Sequence, residues 1–474
     1  MPTHVEGLPD MSGETVSRSL ARFARELAFE DIPADVIERI KYLMLDGVGI
    51  ALVASRYPFA RTIWDGLANL GGDGACSVIG MDGRLSARDA VVMNGALIHG
   101  LDFDDTHMQS VVHATAAALP TALVMADKQD ASGQEFLCAY LIGMEVAIRI
   151  GMAADYGFHH RGLHATGVVG HFAAALIAGR LMGLDEDQLT GAQGVVGSTA
   201  MASQEFVEDG SWNKRLHPGW AGVAGITAAA LAESGFLAPA KPYEGRFGLF
   251  RSLLGVTDEK PDLAAITDGL GERWEAAISA VKPFPTCHFT HAVADAALAL
   301  VEHIPDSGQI ACIKARIPAE TIAVIAEPIA NKIKPASDYD AKFSTQFIVA
   351  AALVKGRFGL AELEDDVLGD PIILDLAQRV DCEADPESPF PKYYSGGVHI
   401  TMRNGETHEH YEPINRGAGE RALTPGEITD KFMANATLAV SSERAEAIRD
   451  AVLRVDEFPA RKLMGLLSDG SIAK

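Results

Sequence analysis

The spacing of apolar residues changes twice along this chain, and this change constrains the fold more than any other feature of the sequence. From Val16 to about Leu231, apolar residues recur at helical spacing, and alanine and glycine supply much of the apolar content. Small residues at this density allow helix axes to approach closely, which favours a large helical domain of several layers over a simple four-helix bundle. Residues 233–282, rich in proline and glycine, then indicate a connection that contains one or two helices.

Beyond this connection the period becomes two. The segments "IACIKARI" and "GVHITMR" alternate, and Asn404-Gly405 is a strong hairpin signal that joins the second segment to "ETHEHYE". Helical spacing returns in "YDAKFSTQFIVAAALVKG" and "DPIILDLAQRV", and again in the C-terminal tail. We therefore predict a mainly α protein, in which a large helical domain formed by residues 1–275 and 413–474 carries an inserted, smaller α+β domain at residues 276–412.

The charge balance excludes whole classes of partner. The chain carries 40 Lys+Arg against 64 Asp+Glu, a formal net charge of −24 at pH 7. This charge repels nucleic acids and anionic membrane surfaces over most of the exterior, so we expect neither as a partner. An anionic substrate would need a local cluster of basic groups inside a cleft, where the low dielectric strengthens each contact.

Cysteine usage and the apolar stretches indicate the compartment. The five cysteines are odd in number, far apart and without CxxC spacing, which argues against a disulfide framework, a zinc site or an iron–sulfur cluster. The N-terminal stretch "MPTHVEGLPDMSGETV" carries acids and no apolar targeting core, and apolar stretches such as "WAGVAGITAAALA" are too short to span a membrane. We predict a soluble, cytoplasmic protein.

The stretch "HGLDFDDTH", residues 99–107, places three carboxylates, two imidazoles and a hydroxyl directly after an apolar run. If it is helical, His99, Asp102 and Thr106 share one face and Asp104 points elsewhere. Carboxylates near a helix C-terminus oppose the helix dipole, so a solvated helix end explains them less well than the wall of a reaction site. His99 and Asp102 with His113 offer ligands for a divalent ion, but their spacing matches no recognised metal pattern, and we predict no metal.

Basic residues stand immediately before four alanine-rich or apolar helical segments, where free N–H groups and the positive dipole end favour anions. Each of these residues taken singly is ordinary. In so acidic a chain the set indicates a carboxylate-rich substrate. The four groups are His113; Arg161 and His164; Lys214, Arg215 and His217; and Lys282, His288 and His291. The motifs for nucleotide binding, a serine nucleophile elbow and zinc proteolysis (GxGxxG, GxxxxGK[ST], GxSxG and HExxH) are absent from the sequence.

Five segments in this order resemble the MmgE/PrpD superfamily, which contains 2-methylcitrate dehydratase, cis-aconitate decarboxylase and iminodisuccinate epimerase. The segments are "NGALIHGLDFDDTH", "GLHATGVVGHFAAA", "KRLHPGWA", "VKPFPTCHFTH" and "PIANKIKPASDYDAKFSTQF". The resemblance runs from about residue 15 to 465. It implies a helical domain from both chain ends, a lid inserted between them, a site between the domains, a homodimer, and no metal or organic cofactor.

The resemblance also implies roles for individual residues. It places His113 nearest the reacting carbon, as the acid/base, and it places Asp102 in the site wall. The remaining predicted site residues are Lys214 and Lys282, grouped with His113 and Asp102 as catalytic, and Thr106, His164, His217 and His288, predicted to bind substrate. Asp104 and Asp105 are predicted to be caps or salt-bridge partners outside the chemistry.

Two departures from the family patterns bear on the reaction. The cis-aconitate decarboxylase pattern has a tyrosine shortly before the "PxS" segment, whereas the matching stretch here, "AETIAVIAEPIANKIKPAS", has no tyrosine until Tyr339. In addition, "LDFDDTH" stands where 2-methylcitrate dehydratases tend to have a Tyr-Asn-Asp-Thr-Trp version. We predict a cofactor-independent lyase that acts on a small di- or tricarboxylate by proton abstraction next to a carboxylate. Dehydration ranks first, epimerisation second and decarboxylation third, and a non-catalytic carboxylate-binding protein is the alternative from another class.

Overall fold

The structure is a computed structural model that describes residues 14–71, 74–255 and 261–468. The N-terminal residues 1–13, which carry most of the stretch predicted to lack a targeting segment, lie outside the described residues. Helices dominate the fold, which confirms the mainly α prediction. The helices of the first half and of the connection are α1 Val16–Glu26, α2 Ala34–Ala54, α3 Pro58–Gly71, α4 Ala87–His99, α5 Ala114–Lys128, α6 Gly133–Ala153, α7 Gly157–His160, α8 Ala165–Leu181, α9 Glu186–Val196, α10 Asn213–Glu233, α11 Leu249–Leu254 and α12 Ala264–Thr267.

The first hydrophobic core is built from both ends of the chain. Its buried side chains run from Leu20 to Val281 and resume from Leu423 to Leu467. The C-terminal contribution comes from α20 Pro425–Ala436, α21 Ser442–Leu453 and α22 Ala460–Ser468, of which α20 packs against α2. We call the part of the chain around this core the helical unit.

Small residues set the close packing of α4, α8 and α10, as the alanine and glycine content predicts. A Cβ atom added at Gly95 of α4 would lie 2.5 Å from the backbone nitrogen of Gly219 in α10, and one added at Gly225 would lie 2.4 Å from Ala174 of α8. Backbones at this distance leave no room for a side chain. The start of α10 is therefore held directly beside the end of α4, where the candidate site lies.

A second core surrounds a four-stranded sheet, which we call the sheet unit. Its strands lie in the order β4-β3-β5-β6, with β3 parallel to β4 and the other pairs antiparallel. Ile313 of β3 lies opposite Val380 on one side and Ile400 on the other, and all three are buried. The strands are β3 Ile310–Ile317, β4 Val380–Ala384, β5 Gly396–Met402 and β6 Thr407–Glu412, and a two-stranded pair in the helical unit is formed by β1 Cys76–Ser77 and β2 Arg84–Leu85.

The sequence predictions for the sheet unit are confirmed at three strands and wrong at one. β3, β5 and β6 form where the apolar residues alternate, and the Asn404-Gly405 turn joins β5 to β6. The segment "DPIILDLAQRV" was predicted to be helical throughout, but its helix ends at Ala377 and β4 begins at Val380. The helices of this unit are α13 His291–Leu300, α14 Ile322–Ile325, α15 Ile329–Ile333, α16 Asp338–Ala341, α17 Thr345–Lys355, α18 Asp365–Leu368 and α19 Pro371–Ala377.

The second core also contains side chains from the first, helical half of the chain. Met108, Val111, Tyr156 and Phe206 are buried with the sheet unit rather than with the first core. The two units thus share a buried boundary. The exact domain boundaries at residues 275 and 412, and the role of the sheet unit as a lid, stay predictions.

Among the described residues, helix α6 alone is long and apolar enough to cross a membrane, so the expectation that every apolar stretch is too short is wrong for this helix. However, 94% of its most apolar 18-residue window is buried inside the protein. The helix also carries Glu145 and Arg149, whose side chains pair at 2.9 Å in this interior. A helix at the centre of a globular core meets the same length and composition criteria, and α6 has that position.

Candidate active site

The acid-rich stretch after α4 folds back into the protein and is not helical. α4 ends at His99, and Asp102 has a φ of +52°, in the left-handed region that ends regular helix geometry. The prediction that Asp104 points away from the other site residues, which assumed a continuing helix, is therefore wrong. His99, Asp102, Asp104 and Thr106 are each at most 1% exposed. A run of this polarity, buried to this degree, is the wall of an internal site rather than a solvated helix end.

Asp102 binds two lysines from distant parts of the chain. Lys214 Nζ donates to Asp102 Oδ2 at 2.7 Å, and Lys282 Nζ donates to Oδ1 at 2.6 Å and to the Asp102 carbonyl at 2.9 Å. Burial acts to raise the pKa of Asp102, but the two ammonium groups overcome this and hold that pKa well below its usual range. The carboxylate is therefore ionised at neutral pH, and two buried cations stand beside it.

Two local structures bring these lysines to Asp102. Lys214 lies in the first turn of α10, which the small residues hold against α4. Lys282 follows Ala280, which forms a short antiparallel bridge with Thr106 through two backbone hydrogen bonds of 2.9 Å. This bridge joins the acid-rich stretch to the start of the segment that enters the sheet unit. It therefore fixes the position from which Lys282 reaches Asp102.

His113 lies at the N-cap of α5, and its ring has a defined hydrogen position. Nδ1 lies 3.0 Å from the backbone carbonyl of Asp105 and 3.3 Å from the hydroxyl of Thr106. A carbonyl oxygen only accepts, so Nδ1 carries the hydrogen and Nε2 keeps its lone pair. Burial lowers the pKa of His113 well below its usual value, although Asp104 opposes this change. The imidazole is therefore neutral at neutral pH, with Nε2 available as a base.

His99 and Asp104 belong to this cluster, although the sequence-based assignment left them out. Asp104 Oδ2 accepts from His99 Nδ1 at 2.9 Å and lies 3.6 Å from His113 Nδ1. The His99 and His113 rings are 4.7 Å apart. Burial acts to raise the pKa of Asp104, but the two imidazoles pull it well below its usual value. The signal for both residues was present in "HGLDFDDTH": the assumed helix placed His99 on the face of Asp102 and Thr106, and it misplaced Asp104 alone.

Asp105 caps the start of α5, which confirms its predicted structural role. Its carboxylate accepts from the backbone N–H of Thr115 at 3.1 Å. Burial is the main cause that raises the pKa of Asp105 to about 7, and the charge of Asp104 adds to it. This carboxyl therefore changes charge within the physiological pH range.

Asp105 predicts a pH-dependent contribution to stability. An unfolded aspartate titrates near about pH 4, whereas the folded pKa of Asp105 is about 7. The stability that this raised pKa contributes is complete below the unfolded pKa and is lost as the pH rises through the folded pKa. Asp105→Asn keeps an oxygen for the Thr115 N–H and cannot ionise. In urea unfolding its advantage in stability over the wild type should be smaller at pH 5 than at pH 8. A wild type more stable than the variant at pH 8 contradicts this assignment.

His164 and His217 form a pair at the next helix start. His164 is the N-cap of α8, and its Nδ1 lies 3.0 Å from Nδ1 of His217 in α10. Burial lowers the pKa of both rings, to about 3 for His217, so one neutral ring donates to the other. His164 Nε2 is buried and has no hydrogen-bond partner among the described residues.

One pocket gathers most of the predicted residues. Its polar lining is formed by Asp102, Thr106, His113, His164, Lys214 and His288, all predicted from the sequence, together with His159, Gln204 and Cys287, which were not. Its apolar lining includes Val111, Phe206, Phe289, Val324 and Phe343. Lys282 and His217 are the predicted residues that do not line it: Lys282 lies behind Asp102, and His217 lies behind His164. The pocket lining thus combines polar and apolar side chains, with Phe206 beside His164 and Phe343 beside Lys214.

Family models match both halves of the chain. The MmgE/PrpD N-terminal domain matches residues 18–262, and the MmgE/PrpD C-terminal domain matches residues 284–457. The chain belongs to the MmgE/PrpD family. Among relatives of this MmgE/PrpD protein, a cis-aconitate decarboxylase-like protein of Aspergillus oryzae is 28% identical, over 96% of this chain and 97% of the relative. The cis-aconitate decarboxylase of Aspergillus terreus is 28% identical over 94% of each chain, and the 2-methylcitrate dehydratase of Salmonella typhimurium is 24% identical over 90% of this chain and 92% of the relative.

In this MmgE/PrpD protein the segment before the "PxS" motif presents an aliphatic residue to the pocket. Val324, in α14, lines the pocket. Tyr339 packs instead against the guanidinium of Arg215, which lies 4.1 Å from its ring centroid, and its hydroxyl has no partner within the described ranges. The tyrosine that lines the pocket is Tyr394, which lies just before β5. Its hydroxyl donates to the Met108 carbonyl at 2.9 Å. The segment in which the sequence departs from the decarboxylase pattern therefore contributes Val324 to the pocket lining.

Two groups in the site have ligand atoms close enough to hold a metal ion. They are His99, His113 and His164, and Asp102, Asp104 and His113, with all ligand atoms of a group within 4.8 Å of one another. The second group fits poorly because Asp102 already neutralises two lysines whose charge repels a cation. The three imidazoles have the donor chemistry of a zinc-type site. The expectation that no metal takes part stays a prediction.

Proposed function

We propose that this MmgE/PrpD protein is a lyase that acts on a small di- or tricarboxylate, with His113 moving a proton at the carbon next to a carboxylate. The state of His113 carries the proposal: its Nδ1–H is engaged by the carbonyl of Asp105, and burial keeps the ring neutral by lowering its pKa. A neutral imidazole with a free Nε2 is a general base. Lys214 lines the same pocket and supplies positive charge for the electrons that a lost proton leaves behind.

Carboxylates suit this pocket because its cations are buried while the chain as a whole is acidic. Lys214 and Lys282 share the single negative charge of Asp102, which leaves positive charge for a ligand. His159 and His164 add buried ring nitrogens that have no partner in the described part of the chain. A small polycarboxylate offers oxygen acceptors to these groups, and burial strengthens each contact.

Dehydration of a hydroxy acid is the reaction that suits a neutral base best. His113 Nε2 takes the proton, and the C–H electrons move toward the carboxylate as an enolate stabilised by Lys214. The C=C bond then forms as the neighbouring C–O bond breaks, and the hydroxyl leaves as water with the proton from the imidazolium. Asp104, 3.6 Å from His113 Nδ1, stabilises the imidazolium between the two steps. The catalyst returns to its starting protonation state.

Decarboxylation is the second candidate, favoured by the names of two relatives and by the apolar residues in the pocket lining. A carboxylate against Phe206 and Val324 loses solvation, which favours its departure as carbon dioxide. The carbanion left behind must then take a proton from a protonated donor. Burial lowers the pKa of His113 and His164, so protonated imidazoles are scarce in this pocket. Decarboxylation therefore ranks behind dehydration. Epimerisation ranks between the two, because it begins with the same proton abstraction as dehydration.

Proton NMR in deuterated buffer tests the proposal. Purified protein is incubated with citrate, 2-methylcitrate, cis-aconitate and iminodisuccinate in turn, and the spectra are followed over time. We expect an alkene to appear from a hydroxy acid, with deuterium entering at the carbon next to a carboxylate. Deuterium incorporation with a new stereoisomer and no alkene indicates the epimerase. Consumption of cis-aconitate to a product one carboxylate smaller indicates the decarboxylase.

Unchanged spectra with all four compounds contradict the proposed substrate class. Calorimetric binding of citrate without any turnover would then support the non-catalytic carboxylate-binding protein. The cytoplasmic location and the homodimer remain part of the proposal. Trp220 and Leu231 on the outer face of α10 are 62% and 37% exposed, and a second copy of the chain would cover such apolar side chains.

A further inference from the structure

Asn415 is a buried amide next to the site pocket for which the proposed chemistry has no role. It lies in the segment that follows β6 and is 0% exposed. Its Oδ1 accepts from the backbone N–H of Tyr394 at 3.0 Å, and its Nδ2 lies 2.8 Å from Nε2 of His288. Both neighbours line the pocket.

The backbone fixes which way this amide points. The N–H of Tyr394 can only donate, so it must face the oxygen of Asn415, and the NH2 group must face His288. Turning the amide over would place the NH2 group against the Tyr394 N–H. A buried donor left unsatisfied in this way costs about 1–3 kcal/mol. The Tyr394 N–H, which can only donate, therefore sets the orientation of the Asn415 amide.

The amide in turn fixes the hydrogen on His288. Its NH2 group donates, so Nε2 of His288 must accept and carries no hydrogen. Burial is the main cause that lowers the pKa of His288 well below its usual value, while the backbone of Arg416 acts in the opposite direction. A neutral imidazole has one N–H, so the hydrogen is on Nδ1. Nδ1 is buried and has no hydrogen-bond partner in the described ranges 14–71, 74–255 and 261–468.

We propose that Asn415 is a positioning residue that holds His288 in its Nδ1–H tautomer, so that His288 presents a donor to an oxygen of the bound carboxylate. The identity of the acceptor rests on the proposed function. The tautomer rests only on the contacts of Asn415. The rival arrangement has the hydrogen on Nε2, directed at the Arg416 backbone, and leaves Nδ1 as an acceptor that repels a carboxylate.

Nitrogen-15 NMR of the full chain with labelled histidine tests the tautomer without any substrate. His288→Gln identifies the signals of this ring. At neutral pH we expect Nε2 to have the shift of an unprotonated nitrogen and Nδ1 that of a protonated one. In Asn415→Asp the carboxylate accepts instead of donating, so Nε2 should become protonated. A wild-type ring protonated at Nε2, or no change in Asn415→Asp, overturns the inference. Asn435→Asp, at a buried amide on α20 outside the pocket, is the matched control and should leave the His288 signals unchanged.

Citrate binding, measured by isothermal titration calorimetry, tests the consequence for the ligand. We expect Asn415→Asp to weaken citrate binding by about tenfold or more and Asn435→Asp to leave it unchanged. The new negative charge could also repel citrate directly, so the double variant with His288→Gln separates the two effects. An Asn415→Asp effect that disappears in the His288→Gln background supports positioning through His288, and one that persists in full overturns it.

The NMR measurement and the calorimetric measurement test the inference and the proposed function independently. An Nδ1–H tautomer with no binding of citrate keeps the role of Asn415 in setting the ring and overturns the donation to a carboxylate, together with the proposed substrate class. Citrate binding to a protein whose His288 carries its hydrogen on Nε2 overturns the inference and leaves the proposed function standing.

Discussion

Replacing His113 with glutamine should lower kcat by about 10³-fold or more while the protein stays folded, because general acid–base catalysis contributes typically 10²–10⁴-fold and the glutamine amide has no basic nitrogen. Glutamine can still donate to the Asp105 carbonyl, as His113 Nδ1 does, so the start of α5 keeps its contacts. The measurement is kcat with the substrate found by NMR, with circular dichroism and the melting temperature as checks on folding.

His171→Gln is the matched control for His113→Gln. His171 is also a buried histidine whose Nδ1 donates to a carbonyl, that of Gly167, but it lies in the interior of α8 and does not line the pocket. It should keep nearly full turnover. A His113→Gln protein that turns over at the wild-type rate would remove His113 from the mechanism, and loss of activity in both variants would indicate a packing effect.

Replacing Asp102 with asparagine should lower the free energy of unfolding at pH 7 by about 3–5 kcal/mol, the usual cost of breaking a buried ion pair by removing one partner. The reason is that Lys214 and Lys282 would remain buried without their counter-charge. Urea unfolding measures the difference. Asp65→Asn, which breaks the exposed pair with Arg61, is the control and should cost about 0.5 kcal/mol or less.

The pH dependence of the Asp102→Asn effect has a defined sign. The pKa of Asp102 is held well below that of an unfolded aspartate. Its contribution to stability is therefore present above about pH 4 and is lost as the pH falls through the folded pKa. The difference between wild type and variant should shrink toward low pH. A difference that stays constant from pH 7 to pH 3, or one no larger than that of Asp65→Asn, contradicts the assignment of Asp102 as the charge partner of both lysines.

Much of the fold follows from local patterns in the sequence. The alternation in "IACIKARI" and "GVHITMR" and the Asn404-Gly405 turn predict three of the four strands in the sheet unit because these patterns reflect which side chains meet the core. β4 was missed because Val380–Ala384, although it alternates apolar and polar residues, is only five residues long and directly follows a segment of helical spacing. It forms because β3 offers a free edge for parallel pairing, which is a property of the folded chain.

The residues of the candidate site were also predicted only in part. His113, His164 and Lys214 were found because they stand at helix starts, which sequence spacing marks. Asp104 was placed wrongly because the helix was assumed to continue through Asp102, where the backbone is left-handed, a conformation that aspartate adopts only occasionally. His159 and Asn415 are single polar residues without a motif, and only tertiary packing brings them to the pocket.

The bridge between Thr106 and Ala280 and the bond from Lys282 to Asp102 tie the two hydrophobic cores together at the site itself. Separating the cores would expose the apolar side chains they share and would strand a buried carboxylate, so neither core has a low-energy route to melting alone. We therefore expect the two cores to unfold together, which differential scanning calorimetry would show as a single transition. A carboxylate ligand bound at Lys214 should then protect residues at both ends of the sequence from hydrogen exchange, far from any atom that it contacts.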